Sequence, residues 1–88
     1  MRSITVDFQQ LVETGQGHAY LAQTLSLPDW YGANLDALYD CMTEPMPDTV
    51  LRLEHTNQAS AFGCAVLRVL RDASSENHTL TLLFCSEP

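Results

Sequence analysis

Residues 27–43 read Leu27-Pro-Asp-Trp-Tyr-Gly-Ala-Asn-Leu-Asp-Ala-Leu-Tyr-Asp-Cys-Met-Thr43, and the stretch divides into a loop and a helix. Pro28 and Gly32 bound a loop that carries Trp30 and Tyr31. Aromatic side chains on so tight a loop either anchor it in a core or face a partner. Gly32 is expected to make the sharp turn, because glycine alone enters strained backbone conformations freely. At Asn34 the pattern becomes helical. Asparagine is a good N-cap, its side-chain oxygen accepting from a backbone N–H that the helix leaves unpaired. Leu35, Leu38 and Met42 then recur at spacings of three and four, an apolar stripe that predicts a helix over 34–43.

Working outward toward the N-terminus, His18 to Ser26 reads as a helix, with Leu21 and Leu25 one turn apart and Ala22 beside them. Pro28 is expected to end it, since the residue before proline avoids the helical region. Thr14-Gly15-Gln16-Gly17 breaks the pattern. Residues 2–8 alternate cleanly, with Ile4, Val6 and Phe8 on one face, and predict a strand. Toward the C-terminus, Pro45 and Pro47 punctuate the end of the 34–43 helix. A second strand follows over 48–54, then a polar connection from His55 to Gln58. A long helix is expected from about Ser60 to Ser74, with Phe62, Val66, Val69, Leu70 and Ala73 on one face and Gly63 as a weak point. Residues 79–85 form the last strand, the most apolar and so expected to be the best covered.

The order β-α-α-β-α-β in 88 residues favours one α/β domain spanning residues 1–88. Its expected architecture is a three-stranded parallel sheet with helices packed against one side, in two layers. Hydrophobic residues make up 45% of the chain, enough for a packed core but a modest one. So short a chain leaves little room for a deep catalytic cleft, and binding by surface is its more natural use.

The charge is unevenly placed. Eleven acidic residues face four arginines and no lysine, for a formal net charge of −7. Between Arg2 and Arg52 lie Asp7, Glu13, Asp29, Asp36, Asp40, Glu44 and Asp48 with no basic residue, while Glu54, Asp72, Glu76 and Glu87 balance the arginines elsewhere. A field of this sign repels nucleic acid and anionic membranes and attracts basic proteins over a Debye length of roughly 10 Å. The basic footprint that nucleic-acid binding requires is missing.

On the 34–43 helix, Asp36, Asp40 and Glu44 recur every four residues, roughly opposite the apolar stripe, with Tyr39 beside them. Like charges at this spacing repel by a few tenths of a kcal/mol per pair, roughly. No lysine or arginine on the helix relieves them. Asp36 gains from the helix dipole, whereas Asp40 and Glu44 lose from it. Such a face is either a solvated acidic surface or a surface poised for a cationic partner.

Residues 28–43 resemble the signature of the barstar family, in which Tyr-Gly-x-Asn-Leu-Asp-Ala-Leu-aromatic-Asp-Cys-Leu-Thr opens and builds the second helix. The flanks agree in order: Leu25-x-Leu-Pro28 closing the preceding helix, Val50-Leu-x-Leu-Glu54 in a strand, and Val66-Leu-x-Val-Leu-Arg-Asp-Ala73 in the long helix. The resemblance implies a barstar-like three-stranded parallel sheet. It also implies tight, non-covalent inhibition of a guanyl-type ribonuclease inside the cell that makes it. By this resemblance Asp40 is the key carboxylate, entering the enzyme's phosphate site among arginines, and Asp36 supports it. Trp30 matches a loop tyrosine that covers the enzyme's catalytic histidine, and Tyr39 matches a tryptophan on the binding face. Asn34 and Thr43 match residues at the two ends of the contact helix, and Asp72 stands where the family has a glutamate that pairs with an enzyme arginine. The chain departs from the family in Glu44-Pro45-Met46-Pro47, where the family example has Gly-Trp and a different loop, and in a shorter 55–65 segment.

The expected partner is therefore a basic microbial ribonuclease, bound through Trp30, Asn34, Asp36, Tyr39, Asp40, Thr43, Glu44 and Asp72. Carboxylates there mimic RNA phosphate, because a carboxylate offers guanidinium groups the same charge sign and bidentate geometry. The alternative is an acidic interaction or immunity module for another basic protein or toxin. Catalysis is not expected. Cys41, Cys64 and Cys85 fall in no recognisable motif with His18, His55 or His78, no histidines share metal-ligand spacing, and no cofactor motif occurs. Three thiols, odd in number and without Cys-x-x-Cys, and no apolar export or membrane segment point to the cytoplasm. The cysteines themselves are expected to be small buried hydrophobes, and the free chain to be monomeric.

Overall fold

The computed structural model describes residues 2–11, 14–58 and 60–84. Strand β1 spans Arg2–Asp7, helix α1 Thr14–Thr24, helix α2 Leu35–Thr43, strand β2 Thr49–Glu54, helix α3 Ala61–Glu76 and strand β3 Leu80–Phe84. Single turns of 3-10 helix follow β1 (Phe8–Gln10) and β2 (Thr56–Gln58). The three strands form one parallel sheet in the order β1-β2-β3, the architecture expected of the alternating elements.

Register sorts the two faces. Ile4 pairs with Leu51 and Leu51 with Leu82, while Val6 pairs with Leu53 and Leu53 with Phe84. This face meets the helices, where Val6, Leu51, Leu53 and Leu80 join Leu21, Leu25, Leu38, Met42, Val66, Leu70 and Ala73 in one buried core. Ser3, Thr5, Arg52, Thr81 and Leu83 on the other face are exposed. The fold thus has two layers, with helices on one side of the sheet. No helix among the described residues is long and apolar enough to cross a membrane.

Coverage of the strands differs from expectation. The best-covered strand is β2, because it lies between the other two. β3 is an edge strand, and Leu83 and Phe84 at its far end are 48% and 45% exposed. Apolar content reports what a strand can bury, not its place in the sheet. Cys85, expected at the end of β3, and Glu13 and Glu87 of the charge inventory lie outside the described residues.

Helix α1 begins four residues earlier than its sequence pattern suggests, running through Gly15 and Gly17. A Cβ at Gly17 would overlap the Phe62 ring. The glycine is a point of close approach between α1 and α3, not a break. The helix also ends before Pro28 can act. Ser26 takes a left-handed φ of 53° and the Leu27 N–H donates to the Ala22 carbonyl at 2.9 Å, a Schellman-type stop. At the other end of the core, Ser60 caps α3 by accepting from the Gly63 N–H at 3.1 Å, and its own hydroxyl donates to the Leu11 carbonyl.

Candidate functional site

The 28–34 loop and α2 carry Trp30, Asn34, Asp36, Tyr39, Asp40 and Thr43. Asn34 caps α2 as expected: the Ala37 N–H donates to its Oδ1 at 2.7 Å. The left-handed residue of the loop is Ala33, with φ of 55°, whereas no glycine in the described chain has positive φ. Gly32 serves differently, since a Cβ there would stand 3.1 Å from Nδ2 of Asn34. The small residue leaves room for the cap.

The two loop aromatics part company. Tyr31 turns inward. Its N–H donates to the Pro28 carbonyl at 2.9 Å, and its hydroxyl hydrogen-bonds Nδ1 of His18. Burial, and then the thiol of Cys41, push the Tyr31 hydroxyl up to about 12. Trp30 turns outward and is 54% exposed. An indole more than half exposed on a loop is the kind of group a second protein covers.

On α2, Leu38, Cys41 and Met42 are buried, Tyr39 is half-buried against the core, and Asp36 and Asp40 are exposed one turn apart. Neither aspartate has an ion-pair partner among the described residues. Glu44 corrects the sequence reading. The helix stops at Thr43, and Glu44 takes extended backbone angles (φ −73°, ψ 154°), so the ladder of three carboxylates is two on the helix and one just beyond it. All the same, Asp40 and Glu44 share a field: burial pushes the Cys41 thiol up, and the charges of Glu44 and Asp40 push it further. Thr43 is half-buried, and its hydroxyl donates within the helix to the Tyr39 and Asp40 carbonyls, at 2.9 and 3.2 Å. Its donor is spent, and lone pairs are what it has to offer a partner.

Asp72 is exposed on α3. It lines a recess of about 390 Å³ with Cys64, Leu67, Arg68 and Arg71. The Arg71 guanidinium also lies 5.3 Å from the centre of the Phe84 ring. Of the two described cysteines, Cys41 is the buried hydrophobe expected, whereas Cys64 is exposed.

Sequence reasoning passed over two residues that shape this surface. His18 is 4% exposed, and its position three and seven residues before Leu21 and Leu25 was the signal that it shares their buried stripe. Asn77 is 8% exposed and donates through Nδ2 to the Met42 and Glu44 carbonyls at 3.0 and 3.3 Å. It closes the C-terminal end of α2, and nothing in Ser-Ser-Glu-Asn marks it.

The histidines are engaged with oxygen or exposed. His55 Nδ1 lies 2.8 Å from the Asp7 carboxylate, and His78 is at the surface. Among the described residues no cysteine hydrogen-bonds a histidine, and no three His, Cys, Asp or Glu side chains are grouped to hold a metal ion.

Comparison with known proteins accords with this geometry. The chain is similar to a Bacillus subtilis (strain 168) protein named "Putative ribonuclease inhibitor YrdF", 33% identical over 81 residues that take in 86% of this chain and 89% of the relative. Residues 1–85 match the family model described as Barstar (barnase inhibitor). With a three-stranded parallel sheet, a capped acidic second helix and a family match over nearly its whole length, the chain belongs to the barstar family.

Proposed function

We propose that this protein is a non-catalytic inhibitor that binds a basic microbial ribonuclease and closes its active site without forming a covalent bond. The observation that carries the reading is the pair Asp36 and Asp40, exposed one turn apart on α2 with no cation of the protein's own to pair with among the described residues. A ribonuclease site holds phosphate with arginine, lysine and histidine, and a carboxylate presented on a rigid helix takes the phosphate's place. Asp40 occupies the phosphate position, Asp36 supports it, and Glu44 adds to the field beyond the helix. Trp30 covers the catalytic residues from the side, Tyr39 supplies the apolar floor between them, and Asn34 and Thr43 bound the contact. Asp72 contributes from α3. The protein acts in the cytoplasm, before its target is exported or after an incoming toxin arrives, and in the second case it is an immunity protein.

The reading is tested by adding the purified chain to a panel of basic microbial ribonucleases, including any encoded nearby, and following RNA cleavage. Loss of activity in at least one of them at near-stoichiometric inhibitor is the expected result. If none is slowed, and a basic protein that is not a nuclease is recovered as the bound partner, the reading is wrong and the acidic face serves that protein instead.

A further inference from the structure

The exposed Trp30 and the half-buried Tyr31 are neighbours in the chain, and the second is tied to a residue on another element. His18 comes from α1 and Phe62 from the first turn of α3. The His18 ring packs against both aromatics, with its centre 5.0 Å from that of Phe62 in an edge-on arrangement and 5.6 Å from that of Tyr31, tilted. Gly17 lets Phe62 lie directly on α1 at this level, and the hydroxyl of Tyr31 completes the row by bonding Nδ1 of His18. Next to Trp30, the loop backbone is further held by the turn in which the Tyr31 N–H donates to the Pro28 carbonyl. Trp30 itself makes no hydrogen bond or ring contact among the described residues.

We propose that Phe62, His18 and Tyr31 form a strut from the helical layer to the 28–34 loop, and that His18 and Tyr31 are positioning residues that hold Trp30 ready for the partner. An exposed aromatic on a loosely held loop loses rotational and backbone freedom on binding, and that loss subtracts from affinity. Fixing the residue beside it removes the cost in advance. The hydrogen bond suits the task because it is short-range and directional, and because the half-buried site shields it from competing water. Burial also holds His18 below its ordinary value, which keeps the ring neutral and its Nδ1 able to pair with the hydroxyl at neutral pH. The effect on affinity rests on the inhibitor reading above; the effect on the loop does not.

The chain has one tryptophan, so its fluorescence reports the loop directly. The experiment compares wild type with Tyr31→Phe, which removes the hydroxyl and keeps the ring, and with His18→Gln. In the free protein, with far-UV circular dichroism unchanged, the variants should show a larger fast component in the Trp30 anisotropy decay. In complex with an inhibited ribonuclease, Tyr31→Phe should raise Kd roughly fivefold or more, chiefly through faster dissociation. In a Trp30→Ala background the same change should have little further effect, because a strut acts only through what it supports. Unchanged Trp30 anisotropy in both variants overturns the proposal, whether or not a ribonuclease target is found. So does an affinity loss of equal size with and without Trp30, since that loss would arise elsewhere in the fold. If wild type inhibits no ribonuclease, the inhibitor reading falls, and the anisotropy alone decides the strut.

Discussion

The side-chain amide of Asn77, at the end of α3, donates to the carbonyl of Met42, in the last turn of α2, at 3.0 Å. A second contact from the same nitrogen reaches the Glu44 carbonyl at 3.3 Å, and the Asn77 N–H returns to Ala73 at 2.8 Å. Helix C-termini leave carbonyls unpaired, and α2 has no basic residue in its last turn to meet them. Asn77 meets them from the neighbouring helix and so fixes where the acidic helix ends. Its Oδ1 accepts from the Thr79 N–H at 3.1 Å, which carries the constraint into β3.

Asn77→Ala should therefore destabilise the fold by about 1–3 kcal/mol, the usual cost of leaving buried backbone acceptors unpaired. Urea denaturation checks this. An unchanged midpoint would mean that water replaces the amide without loss and that the α2 terminus is not held by α3.

Ala33 occupies the left-handed region with φ of 55°, which costs a residue with a Cβ roughly 1–2 kcal/mol. Ala33→Gly relieves that strain and loses part of the gain to the freer unfolded chain. The expected outcome is a net stabilisation of about 0.5–1 kcal/mol by the same denaturation assay. Destabilisation would show that the loop conformation is set by something the methyl group packs against.

Two groups of the strut predict how stability depends on pH. The folded-state value of His18 lies below 6.5 because burial disfavours the charged ring. The unfolded chain then takes up a proton more readily, so the His18 contribution is complete above about pH 6.5 and is lost as pH falls. Tyr31, pushed up to about 12 chiefly by burial, behaves conversely: its contribution is complete below about pH 10 and is lost as pH rises between about 10 and 12. Measured against pH, the stability of His18→Gln should fall less steeply on the acid side than that of wild type, and Tyr31→Phe less steeply on the alkaline side. Parallel curves would contradict the burial of these groups.

Much of this arrangement is legible in the sequence, for reasons that can be named residue by residue. Ile4, Val6, Leu51 and Leu53 alternate because one face of each strand is buried and the other is wet, and period-two patterning is local. Asn34 is legible because capping is a contact over three residues. What escapes the sequence depends on distant contacts. Gly17 reads as a helix breaker until Phe62 is seen lying against it. β3 reads as the best-covered strand, but apolar content carries no information about sheet order, and Leu83 and Phe84 prove to be on an edge. Glu44 extends a four-residue spacing that the chain abandons one residue too soon. The choice of Tyr31 over Trp30 as the inward-facing aromatic is made by His18, thirteen residues away. Within the site, spacing is enough to find the α2 carboxylates, and equally to set Arg68 and Arg71 beside Asp72 on α3.

The central claim is that Asp40 works as an exposed surrogate for phosphate. It is tested most directly by measuring Asp40→Ala and wild type side by side, in ribonuclease inhibition and in urea denaturation. The substitution removes an exposed carboxylate that has no ion-pair partner among the described residues, so the stability change should stay within about 0.5 kcal/mol. Inhibition should weaken at least about 100-fold, the consequence of leaving enzyme cations desolvated and unpaired. A variant that unfolds, or one that inhibits as tightly as wild type, would contradict the account.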